Sequence, residues 1–195
     1  MFNWVSFIAY ALATTSTPGP NTISSMSNAS RHGLKAGLTF NLGIWVGFSI
    51  VMLICTAFCK LLAEIIPVIQ PVLLVVGAAY ILYLAWNTYR AGRNIDTKDK
   101  SKGGGFWGGF VLQFVNPKIY IYGIVSMESY ILPCFSESPL VLVLLALLLA
   151  FIGFCMTLMW ALFGSVFKVL FSKYSRITNT VMALLLVYCA VALFI

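Results

Sequence analysis

Residues 4–28, WVSFIAYALATTSTPGPNTISSMSN, begin as an apolar helix and turn polar across Thr17, Pro18, Gly19, Pro20 and Asn21. A matching interruption, Asn116, Pro117 and Lys118, falls within a second apolar run, FWGGFVLQFVNPKIYIYG at 106–123. Proline inside a helix removes a backbone hydrogen bond and crowds the preceding turn, and hydrocarbon supplies no water to satisfy the freed groups. Such breaks persist only beside a polar cavity or against other protein. Two of them in one apolar chain point to a membrane protein built around an internal polar site.

The 195 residues are 61% hydrophobic and 9% charged, with a mean hydropathy of +0.98, well outside the range of a water-soluble domain. Runs long enough to cross a hydrocarbon core of about 30 Å, which takes about 20 helical residues, fall at Trp4 to Met26, Leu38 to Phe58, Pro67 to Trp86, Phe106 to Tyr130, Pro139 to Phe163 and Ile177 to Ile195. The expected fold is therefore an all-α membrane protein of six transmembrane helices in the lipid bilayer. The net charge of +7 is distributed by topology and does not imply nucleic acid: ten of the twelve Lys and Arg residues lie in the loops after spans one, three and five. By the positive-inside rule those loops are cytoplasmic and both the N and C termini lie outside. Ala11, Leu12 and Ala13 resemble a signal-peptidase site. Cleavage there would put the five basic residues from Arg90 to Lys102 on the wrong face, so the first span is retained.

The charged stretch Tyr89 to Gly105, ending in three glycines, reads as a cytoplasmic linker (89–105) between a first three-helix half (1–88) and a second (106–195). Three is odd, so the second half enters the membrane from the opposite face, as in an inverted repeat. Each half carries its proline break in its first span. Glycine pairs four apart, Gly33 with Gly37, Gly43 with Gly47, Gly104 with Gly108 and Gly105 with Gly109, allow close helix packing, either within the bundle or in a homodimer.

Thr17 before Pro18 and Asn116 before Pro117 each pair an N-cap residue with a proline suited to the first helical position. Each break is thus expected to start a half-helix whose free amides and dipole favour an anion such as a carboxylate. Lys118, the thirteenth residue of its span and about 18 Å along it, sits near the midplane, where a charge is costly and marks function. Span one adds Thr14, Thr15, Ser16, Thr22, Ser24, Ser25, Ser27 and Asn28, too polar a set to face lipid. The candidate substrate site comprises Thr17, Pro18, Gly19, Pro20, Asn21, Asn41, Gln113, Asn116, Pro117 and Lys118.

No carboxylate falls at a span's midpoint, which argues against a cationic side chain as cargo. The five cysteines are odd in number, lack a CxxC pair and share the chain with a single histidine, so neither a disulfide framework nor a metal site is expected. Catalytic residues and a cofactor are likewise not expected, because no acid, base and nucleophile cluster exists. The chain is read as a transporter and not an enzyme.

These features resemble the LysE/RhtB family of amino-acid exporters along the whole chain, through the motif Thr17 to Asn21, the series Gly33, Gly37, Gly43 and Gly47, and Asn116, Pro117 and Lys118. Within the family, 106–123 and 183–191 (ALLLVYCAV) are most similar to the branch that moves cysteine and O-acetylserine. The resemblance implies a multi-pass carrier of the bacterial inner (cytoplasmic) membrane that expels small neutral amino acids by alternating access, driven by the proton gradient. With no midplane carboxylate, either Lys118 titrates or coupling is electrical. The alternatives are export of homoserine, threonine or leucine-type substrates, or a passive small-solute channel.

Overall fold

A computed structural model describes residues 2–93, 105–166 and 174–194, and all regular structure among them is helical. Helix α1 (Trp4–Ser16) is capped by Asn3, whose side chain accepts from the Ser6 amide at 3.1 Å. It stops at Ser16 because the residue before a proline is pushed out of helical geometry, and Thr17 takes an extended conformation (φ −60°, ψ 139°). Gly19, before Pro20, is extended for the same reason, and α2 (Pro20–His32) starts only after it. The N-cap of this half-helix is therefore Gly19, with Pro20 at the first helical position, and not the expected Thr17 and Pro18. Thr22 stands in for a capping side chain: its hydroxyl accepts from the Gly19 amide at 2.8 Å.

α2 is polar, yet Thr22 to Ser30 are all buried. Gly33 closes it in a backbone conformation (φ 87°) that a side chain would strain, and leads directly into α3 (Leu34–Ala57). α4 (Cys59–Arg93) passes through Pro67 and Pro71 without a stop, so it begins before the expected Pro67 and runs beyond Tyr89, where the linker was expected to begin. The remaining linker residues 94–104, together with Lys168 and Lys173, lie outside the described residues. α5 (Gly105–Val115) and α6 (Pro117–Ser126) are separated by Asn116 alone. A π-helical turn (Met127–Ile131), the short α7 (Leu132–Phe135), α8 (Pro139–Val166) and α9 (Ser175–Val191) follow.

Three helical stretches, Leu34–Ala57, Glu64–Arg90 and Pro139–Val166, are long and apolar enough to cross a membrane. α3 sits centrally, packed on α5, α8, α2 and α6, and α4 lies against α9. Polarity is inverted relative to a soluble protein. Val5, Val68, Leu140 and Tyr188 are exposed, whereas Ser25, Asn41, Gln113 and Asn116 are buried.

Of the glycine pairs, Gly43, Gly47 and Gly109 serve the α3–α5 contact, whereas Gly37 packs against Ala29 of α2. A Cβ on Gly43 would strike the Phe106 carbonyl, one on Gly109 the Phe40 carbonyl, and one on Gly47 would lie 2.8 Å from the Phe110 carbonyl. Backbone cannot move aside as a flexible side chain can, so the two helices approach only where side chains are missing. Gly43→Val or Gly109→Val is expected to force α3 and α5 apart and cut the folded yield in membranes severalfold. Fluorescence-detected gel filtration of a tagged chain would measure this against Leu42→Val, at an exposed position of α3.

Candidate functional site

The two proline breaks meet. Lys118, at the second position of α6, extends its ammonium across the gap and donates to Thr17 Oγ1 at 2.6 Å, linking residues 101 apart in sequence. The Thr17 hydroxyl donates to the Thr14 carbonyl at 2.8 Å, which leaves its oxygen lone pairs to accept from Lys118. Gly19 borders the same ammonium, and a Cβ there would lie 3.7 Å from Nζ.

α6 starts as its sequence anticipates. Asn116 is the N-cap, its Oδ1 accepting from the Lys118 amide at 3.1 Å, and Pro117 occupies the first position. One turn before the break, Gln113 pairs with Asn21 in a double amide contact: Asn21 Nδ2 donates to Gln113 Oε1 at 2.9 Å, and Gln113 Nε2 donates to Asn21 Oδ1 at 3.3 Å. Gln113 Nε2 also reaches the Gly109 carbonyl at 2.8 Å, which fixes the side chain to its own helix. An amide pair suits this place because each partner offers both a donor and an acceptor.

Beside these contacts lies a cavity of about 440 Å³, its mouth included. Thr14, Thr15, Thr17, Thr22, Asn21, Asn116, Thr157 and Lys118 give its wall polar groups, while Pro20, Phe48, Ile119 and Tyr122 add apolar surface. The starts of α2 and α6 both border it, so two helix dipole ends reinforce the one charged side chain in the wall, Lys118. No carboxylate opposes it among the lining residues. The arrangement favours an anionic group at the Lys118 end and an uncharged group at the other.

Of the expected site residues, Thr17, Gly19, Pro20, Asn21, Asn116 and Lys118 line the cavity, and Gln113 supports Asn21 from behind. Pro117 is buried and Pro18 exposed, and neither forms the wall. Asn41 lies elsewhere: it accepts from Ser25 Oγ at 3.1 Å and donates to the Gly37 carbonyl at 2.8 Å, tying α2 to α3. Phe48, Ile119, Tyr122, Gly153 and Thr157 were missed. Gly153 and Thr157, four apart in the otherwise apolar α8, were the available signal.

Gln113→Leu is expected to strand Asn21 and lower stability by about 1 kcal/mol, with the double change Asn21→Leu/Gln113→Leu costing less than the sum of the singles. Thermal unfolding in detergent across the four-member cycle would measure the coupling, and strict additivity would count against the pair.

The LysE type translocator family model matches residues 12–195. The chain is 44% identical over 186 residues to the cysteine/O-acetylserine efflux protein of Klebsiella pneumoniae subsp. pneumoniae, covering 95% of this chain and 94% of that protein. It is 42% identical over 189 residues to the protein of the same name from Salmonella typhimurium, covering 97% and 96%. Against that of Escherichia coli strain K12 the identity is 41% over the same shares. No solved structure matches.

Proposed function

This chain belongs to the LysE type translocator family, and from that premise we propose that it exports cysteine and O-acetylserine from the bacterial cytoplasm. It is a multi-pass inner-membrane efflux transporter and not an enzyme. The observation that carries the substrate reading is the Lys118 ammonium at 2.6 Å from Thr17 Oγ1, where two half-helices begin around one cavity. Every amino acid offers a carboxylate, and two helix N-termini with a lysine form a receptor for it. The threonine hydroxyls and Asn116 present oxygens to the substrate ammonium. The absence of an acid from the wall fits cargo without a cationic side chain.

In this reading the chain crosses the membrane six times. α1 with α2 forms one broken span and α5 with α6 another, each opening one of two oppositely oriented halves. The basic loops face the cytoplasm and both termini face outward. Transport proceeds by alternating access around the paired breaks, driven by the proton gradient. A passive pore would carry the same solutes without counterflow, so trans-stimulated exchange in reconstituted vesicles separates it from a carrier.

Lys118→Ala is expected to lower efflux of O-acetylserine and cysteine from overproducing cells by at least tenfold while membrane abundance stays unchanged. External and internal amino acids would be measured together, with homoserine, threonine and leucine included. Undiminished efflux by the variant would remove the basis of the assignment.

A further inference from the structure

We propose that the Tyr122 hydroxyl sets substrate preference by hydrogen-bonding the side chain of the carried amino acid, so that neutral side chains bearing oxygen or sulfur are favoured over aliphatic ones of similar length. This rests on the exporter reading above. Tyr122 lines the cavity one turn beyond Lys118 on α6, about 6 Å along the axis.

The ring is held firmly. It stacks on Tyr10 at 5.8 Å and 13° and leans on Phe48 at 5.7 Å and 54°, and only 2% of the residue is exposed. Its hydroxyl nevertheless has no hydrogen-bond partner among the described residues. Other partly buried tyrosines of the bundle do find one: Tyr80 donates to the Gly108 carbonyl at 2.9 Å and Tyr120 to the Phe114 carbonyl at 3.1 Å. Ser126, a further turn along α6, is also fully buried with an unpartnered hydroxyl. Beyond Lys118, α6 thus carries two hydroxyls at four-residue spacing without a partner among the described residues.

A buried, unpaired hydroxyl is costly, and phenylalanine would fill the same space without that cost. Retaining the oxygen makes physical sense if the cargo supplies its partner. The acetyl ester of O-acetylserine can accept from it, and the thiol of cysteine can donate to it. An aliphatic side chain leaves it unsatisfied, and a site built around a hydrogen bond discriminates strongly against an analogue that lacks the matching group. Phe48, Ile119 and Gly153 surround it with apolar surface that excludes a charge.

The test uses the full chain in proteoliposomes, measuring counterflow of labelled O-acetylserine and of norvaline, an aliphatic amino acid of similar reach, by wild type and Tyr122→Phe. The variant is expected to lose about tenfold in its O-acetylserine to norvaline ratio, mainly by gaining norvaline, and to melt no lower than wild type without substrate. An unchanged ratio with both solutes still transported overturns the inference and leaves the exporter reading standing. An equal loss of both, or a lower melting point, assigns the hydroxyl a structural role and overturns it too. Failure of wild type to exchange any neutral amino acid overturns both readings.

Discussion

A backbone amide or carbonyl without a partner cannot be left in hydrocarbon, and the rest of this structure is arranged around two places where the helices give that partner up. At Thr17 to Gly19 the chain runs extended between two prolines, and at Asn116 it pauses for one residue. Both gaps are covered by side chains from across the molecule: Lys118 on Thr17, and Gln113 on Asn21. The polar helix α2 is tolerable for the same reason. Its hydroxyls and amides are buried against α3, α8 and α9 and never meet lipid, with Ser25 on Asn41 and Asn28 on the Ser24 carbonyl as examples.

The site follows from that covering. Two helix starts and a lysine ammonium brought to one cavity are also the ingredients of a carboxylate receptor. In the exporter proposed above, the carboxylate of the cargo would share with the Thr17 hydroxyl the ammonium that now reaches across from α6 to the end of α1.

How much of this was legible in the sequence depended on contrast. Pro117, Lys118 and Gln113 stand out against apolar neighbours, and Asn116 caps α6 by a purely local rule, so that break could be read residue by residue. The TPGPN break was located but misassigned by two residues, because each proline restricts the residue before it and the helix had to wait for the second. Asn41 was drawn into the site by its polarity, although it ties α2 to α3. The cavity's apolar wall was invisible. Phe48 and Tyr122 are ordinary members of apolar helices, and only packing distinguishes those that face the cavity from those that fill the core. Pro67 looked like a helix start because proline favours that position, yet α4 passes through it.

The bare backbone contact between α3 and α5 has a mechanical consequence. Gly43 and Gly109 leave those helices no compliant side-chain layer at the contact, so they can neither rotate nor slide past each other without collision, and they behave as a single strut. α1 and α2, by contrast, are joined through the extended Thr17 to Gly19 segment and meet α5 and α6 at the site through side chains, the Lys118 to Thr17 and Asn21 to Gln113 hydrogen bonds and the Tyr10–Tyr122 stack among them. α2 is itself held to α8 the same way, since a Cβ on Gly164 would strike the Met26 carbonyl, so a movement that opened the other side of the cavity would find its freedom at the extended Thr17 to Gly19 link. In the exporter proposed above, the bonds such a movement would break border the cargo, so occupancy and movement would share the same few contacts.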